Sequence, residues 1–120
     1  GNQGGNQQNN AFIRGNISYR ERIALPANAS VTVRLLDVTV GETNAPVVSE
    51  TTFNTNNRQV PIPFELGYNR NQIDFNRRYA LRAEISVDGR TSWTNETSYL
   101  VLTGGNPADN VQLVLTQARQ

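Results

Sequence analysis

Tyr79-Ala80-Leu81-Arg82-Ala83-Glu84-Ile85-Ser86-Val87-Asp88-Gly89-Arg90 is the stretch whose pattern decides the fold. Tyr79, Leu81, Ala83, Ile85 and Val87 alternate with Ala80, Arg82, Glu84 and Ser86. A period of two gives a strand one apolar and one polar face. Asp88-Gly89 is the dipeptide that a type I′ hairpin turn favours, so the chain is expected to return through Arg90–Asn95 with Trp93 on the core face.

Both flanks read as strand and turn. Downstream, Ser98–Thr103 is a strand, Gly104-Gly105-Asn106-Pro107 breaks the chain, and Val111, Leu113 and Leu115 close the fold. Upstream, Ile13, Gly15, Ile17 and Tyr19 alternate with polar residues, and the strand is read onward through Arg20-Glu21-Arg22 to a turn at Pro26–Ala29. Val31, Val33 and Leu35 form the next apolar face. A phase slip at Leu35-Leu36 hands that face to Leu36, Val38 and Val40, which predicts a β-bulge near Asp37. Gly41–Asn44 reads as a turn, Val47–Phe53 as a strand and Asn54–Asn57 as a polar loop. Val60, Ile62 and Phe64 alternate with Pro61 and Pro63, whose missing donors confine this strand to a sheet edge. Gly67–Gln72 reads as a loop, and Ile73–Asn76 as one helical turn. Short strands, frequent turns and no convincing helix predict an all-β single domain: a β-sandwich of about seven to eight antiparallel strands, with an open barrel as the alternative.

Composition removes most chemistry. A chain of 120 residues is one domain and needs no disulfide or metal to bury a core. It has no Cys, no His and no Lys, all 11 basic residues being Arg. Thiolate and imidazole ligands, a cysteine or Schiff-base nucleophile and the usual general base are therefore missing. Catalytic residues, metal ligands and cofactors are expected to be none. A net charge of +1, with no basic stripe, argues against nucleic acid as a partner.

Residues 1–10 are only Gly, Asn and Gln, too polar to offset the entropy of ordering. Residues 1–11 are accordingly read as a disordered tether and 12–117 as the β-domain. No run reaches the roughly 20 apolar residues of a membrane-spanning helix.

A family resemblance runs along the domain. Tyr19-Arg20-Glu21-Arg22-Ile23-Ala24-Leu25-Pro26, Asp37-Val38, Gln59-Val60-Pro61-Ile62-Pro63-Phe64 and Tyr68 come first. Ile73, Tyr79, Ala83-Glu84-Ile85, Asp88-Gly89-Arg90, Trp93, Tyr99 and Val101-Leu102-Thr103 follow in order. This series resembles the YbaY/YscW family of type III secretion system lipoprotein chaperones and pilotin-like lipoproteins. The resemblance implies an all-β domain held by a lipid on the periplasmic face of the bacterial outer membrane. It also implies a partner there: a secretin or another envelope protein. The lipidated Cys of such proteins is absent from these residues, so the N-terminal anchor, and with it any membrane association, is implied by the family alone.

Candidate sites follow. By alternation Glu21 points to the apolar face, where a charge persists only when paired, so Glu21 is expected in a structural ion pair with Arg34 or Arg82. Arg20 and Arg22, with Tyr19, Phe64, Tyr68 and Trp93, are the candidates for binding a partner or ligand; core packing is the competing explanation for the rings. Asp74, Glu84 and Asp88 are the nearest approach to an acid–base pair, and each has a turn or strand-face explanation. The Gly104–Asn110 loop lacks the clustered acids of a Ca²⁺ site. Three Asn-X-Ser/Thr triplets, at Asn16, Asn28 and Asn95, are read as chance. The expected function is a non-catalytic, pilotin-like module that binds a protein. A lipid-binding or envelope-maintenance module with an apolar cleft, and a purely structural domain, are the alternatives.

Overall fold

The alternation around Asp88-Gly89 is realised as β5 (Tyr79–Val87) and β6 (Arg90–Thr94) in a computed structural model, which describes residues 10–119. Asp88 and Gly89 take φ of 54° and 80°, the paired positive values that a type I′ turn requires. The other strands are β1 (Asn10–Tyr19), β2 (Ser30–Asp37), β3 (Val47–Asn54), β4 (Ile62–Asn69), β7 (Tyr99–Val101) and β8 (Val111–Gln117), with a 3-10 turn at Arg70–Gln72. The helical turn thus precedes the Ile73–Asn76 segment read from sequence, and Asn69 caps it by accepting from the Asn71 N–H.

All eight strands belong to one sheet, ordered β3-β2-β5-β6-β8-β1-β4, with β7 paired to β5. The fold is therefore the open barrel, the alternative to the sandwich. The reason lies in β8, which pairs with β1 on one side and with β6 on the other, so two would-be layers fuse. The β1–β8 pairing is parallel, a departure from the all-antiparallel expectation. The β6–β8 join is thin, resting on Trp93↔Gln117 and Thr94↔Thr116. Nearby, the Tyr19 ring of β1 stacks on Trp93 of β6 at 3.7 Å between centroids and 8° between planes. The stack reinforces closure where the ladder is shortest.

Closure also demands a residue without a side chain. Gly15 pairs with Val111, and a Cβ on Gly15 would lie 2.0 Å from the Val111 carbonyl oxygen. Only glycine lets β8 enter this close.

Inward positions are filled. Ile13, Ile17, Val31, Val33, Leu35, Ile62, Leu66, Leu81, Ile85 and Leu113 are buried in one core cluster. β3 and β4 are left facing each other without a ladder, joined by a hydrogen bond from the Ser49 hydroxyl to the Gly67 carbonyl. Pro63 lies on β4, an edge strand as its missing donor requires.

Register fixes the two ends. β1 starts at Asn10 opposite Asn69 at the end of β4, and β2 ends at Asp37 opposite Tyr79 at the start of β5. The first described residue and the segments 38–46 and 70–78 therefore share one end of the barrel, termed the entry end. The Asp88-Gly89 turn and segments 20–29 and 55–61 sit at the opposite, hairpin end.

Several boundaries differ from the sequence reading. β4 runs on through Gly67–Asn69, read there as loop, because those residues pair with Asn10–Phe12 of β1. β1 begins at Asn10, so Asn10 and Ala11 of the tether read over 1–11 belong to the barrel, while its residues 1–9 lie outside the described residues. β1 stops at Tyr19, leaving Arg20-Glu21-Arg22 exposed beyond the strand. Alternation in β2 continues unbroken to a buried Asp37. The register shift opposite Leu35/Leu36 falls in β3, where Leu35 faces Ser49 and Leu36 faces Val47. Leu36 consequently points outward and is half-buried, and Val40 is exposed.

Gly15→Ala is expected to cost about 2–4 kcal/mol, because the clash is with backbone and not with a movable side chain. Urea unfolding would read the loss, and an unchanged midpoint would show that β8 can dock elsewhere.

Candidate functional site

At the hairpin end, the Tyr19–Pro26 signature is a piece of architecture. Tyr19 is buried, and its hydroxyl donates to the Ile23 carbonyl, pulling the chain into a bend directly after β1. Burial, with the Glu21 charge adding to it, pushes the Tyr19 phenol up, so it stays a donor. Leu25 is buried, and Gln59 grips its backbone from both sides: Leu25 N–H donates to Gln59 Oε1 at 2.6 Å, and Gln59 Nε2 donates to the Leu25 carbonyl at 3.0 Å. A side-chain amide thus replaces a strand partner for a segment that has none.

The expected Glu21 ion pair does not form among the described residues. Arg34 instead binds Glu50 and Glu84, each at 2.8 Å, and Arg82 binds Glu42 at 3.2 Å. The reason is the early end of β1, which leaves Glu21 exposed with no charge to neutralise in the core. Arg34 lies opposite Arg82 in the ladder, and the three carboxylates relieve that like-charge contact. Burial alone would lower the Arg34 pKa, but Glu84 and Glu50 outweigh it and the net shift is upward.

The candidate rings do not gather into one groove. Tyr19, Phe64 and Trp93 are buried in the core, and Tyr68 packs half-buried against it. Arg20 and Arg22 are exposed at the hairpin end, away from Tyr68 near the far end of β4.

An open cleft of about 820 Å³ lies along β1 and β4 beside the unsealed seam. Phe53 of β3, Arg58 of the β3–β4 loop, Pro63 and Phe64 of β4, and Asp109 before β8 line it, beside the Arg14–Glu65 ion pair at 2.5 Å. No ion pair engages Arg58 or Asp109 among the described residues, so both charges remain available to a ligand. Within the same limits, no three His, Cys, Asp or Glu residues are grouped to hold a metal.

At the entry end, Asp37 organises two loops. Its carboxylate accepts from Arg77 Nε at 2.6 Å, from the Thr39 hydroxyl at 2.6 Å and from the Thr39 N–H at 3.0 Å. Val38 N–H donates to the Arg78 carbonyl, and Arg78 N–H donates to the Thr39 hydroxyl oxygen. Burial pushes the Asp37 carboxyl up, but the donations from Thr39 and Arg77 win and hold it below its ordinary value.

The family model for type III secretion system lipoprotein chaperones, YscW, matches residues 8–115. The chain belongs to this family. A relative in Escherichia coli (strain K12), Uncharacterized lipoprotein YbaY, is 29% identical over 105 residues, covering 88% of this chain and 55% of its own length. The chain thus spans about half the length of that curated relative. The solved structure of an alternative pilotin from the type II secretion system of Vibrio cholerae is 38% identical, with a TM-score of 0.86, across 92% of this chain and 99% of that one. Chaperones and pilotins are a non-enzymatic kind of protein.

The three acids that come nearest to an acid–base pair in this YscW-family barrel, Asp74, Glu84 and Asp88, are already engaged. Glu84 accepts from Arg34 and Thr91, Asp88 from Asn28, and Asp74 from the Asn76 N–H. Sequence reading missed Phe53, Arg58 and Asp109, which come from separate segments and carry no local signal. It also missed Asn95, which is buried and bonds the backbone of Leu81, Ala83 and Thr97 where β6 leaves β5.

Asp37 has a folded pKa below its unfolded value near 3.9, so its contribution to stability is full above that value and is lost as pH falls through the folded pKa. Asp37→Asn is expected to lower Tm by about 5 °C at pH 7. The gap to the unmodified chain should close as pH drops below about 4. Thermal melts across that range decide it, and a gap independent of pH would assign the loss to shape instead of charge.

Proposed function

We propose that this domain is a non-catalytic, pilotin-type module that holds a segment of an outer-membrane secretin while tethered through its N-terminal side to the periplasmic face of that membrane. The observation that carries the reading is the 38% identity to a pilotin across 92% of the chain. Family membership supports the chaperone role, and the relative's description as a lipoprotein supports the anchor.

The seam cleft is the binding surface that the geometry favours. Phe53 and Pro63 offer an apolar floor, and Arg58 offers a guanidinium for a carboxylate of the partner. The unpaired edge of β3 adds backbone donors and acceptors, which suit an extended segment.

The test is a pull-down with fragments tiling the secretin of the same organism. The unmodified chain is expected to retain one fragment. The double variant Phe53→Ser, Arg58→Glu should weaken it about tenfold or more, since buried aromatic and Arg anchors dominate such interfaces. Phe53 also packs half-buried against the core, so Arg58→Glu alone, with thermal melting unchanged, must weaken retention as well. Retention of no fragment, or equal retention by the variant, would overturn the reading.

A further inference from the structure

The large apolar side chains left exposed are not scattered. Phe12, Ile23, Val40, Val47, Phe75, Leu100 and Val114 are the exposed large hydrophobics among the described residues. Phe12, Val47 and Leu100 sit near the entry-end limits of β1, β3 and β7, and Val40 and Phe75 sit on the two loops of that end. Only Ile23 and Val114 lie elsewhere. Val40 and Phe75 are each 90% exposed, beyond what a folded chain gains from placing them.

Their surroundings are specific. Phe75 stands in Asp74-Phe75-Asn76 and Val40 in Thr39-Val40-Gly41, so each is one apolar tip on an otherwise polar turn. The loops are not loose ends. The Asp37–Arg77 ion pair and the Val38–Arg78 and Thr39–Arg78 hydrogen bonds lock them side by side. Arg70 and Arg78 are exposed on the same end and join no ion pair among the described residues. Apolar tips with unpaired guanidinium groups beside them match the order of groups met on entering a bilayer, anionic phosphates first and acyl carbons beneath. The chain also enters the barrel here, at Asn10.

We infer that the entry end is a membrane-contacting face, with Val40 and Phe75 inserted between lipid headgroups and Arg70 and Arg78 on the phosphates. This rests on the anchor of the proposed function, which would deliver this end to the bilayer. It adds a second, non-covalent contact that fixes how the barrel stands.

The absence of Cys permits single labels. Thr43→Cys and Asn76→Cys place an environment-sensitive fluorophore beside the retained apolar tips, and Arg90→Cys places one at the hairpin end. Each full chain is held by an N-terminal hexahistidine on nickel-chelating vesicles of phosphatidylethanolamine and phosphatidylglycerol. Probes at 43 and 76 should shift to the blue and be quenched by spin-labelled lipid, while the probe at 90 stays aqueous. Val40→Ser with Phe75→Ser should abolish both signals and weaken untethered vesicle binding about tenfold or more. Aqueous probes at 43 and 76 would overturn the inference. So would signals that appear only when a secretin fragment is added, since the end would then belong to the partner. The artificial tether supplies the anchor, so such a failure leaves the secretin reading to its own pull-down.

Discussion

The barrel depends on one close approach, the backbone of Val111 against Gly15. A Cβ at that point would sit 2.0 Å from a carbonyl oxygen, so β8 can lie parallel to β1 only because the side chain is missing. Once β8 is admitted, it brings its far edge to β6, and the sheet curls almost onto itself. Along the main path of the sheet two edges are then left, those of β3 and β4, besides the far side of the short β7. Proline on one and the Ser49–Gly67 bridge between them keep the gap narrow without sealing it. A fully closed ladder would have removed the long free edges of β3 and β4, where a partner strand can pair.

Where strands stop short, side-chain amides complete the backbone bonding. Gln59 does this for Leu25 over the hairpin end, and Asn95 does it for Leu81 and Ala83 between β6 and β7. Unpaired buried peptide groups are costly, so these two residues substitute for strands that the topology cannot supply. The family signature around Tyr19–Pro26 is therefore explained by folding: a buried ring, a bend and a segment gripped by Gln59. Binding has to be sought on surfaces that this scaffolding leaves open.

Much of the fold was legible because period-two alternation depends on nearest neighbours alone. The β5 and β6 hairpin, the edge placement of Pro63 and the inward face of Trp93 all follow from local pattern. Closure was not legible. It rests on a two-residue join and a parallel pairing between strands far apart in sequence, which alternation cannot encode. The end of β1 was misplaced because Arg20-Glu21-Arg22 continues a run in sequence. Pairing with β4 nevertheless stops at Ile17, pairing with β8 stops at Tyr19, and the Tyr19–Ile23 hydrogen bond bends the chain. Asp37 was misread for a related reason. A carboxylate on an inward position looks like a broken pattern until Arg77, 40 residues away, is seen to reach it. The cleft residues Phe53, Arg58 and Asp109 had no signal at all. Val40 and Phe75 did have one, as single large apolar residues in turns otherwise built of polar residues and glycine.

The two proposed surfaces constrain each other through the strand direction. β3 and β4 run between the ends of the barrel, and the seam between them opens to the side. If the entry end rests on the bilayer, the seam faces along the membrane plane instead of into it. A secretin segment then has to approach laterally. The Ser49–Gly67 bridge lies toward the entry end and the cleft at Phe53 toward the hairpin end. Asp37 couples the arrangement, because it orders the loops that carry the tips from the last residue of β2, the strand that supports β3. Orientation on the membrane and access to the edge strand would thus be set by one buried carboxylate and the two loops that it holds.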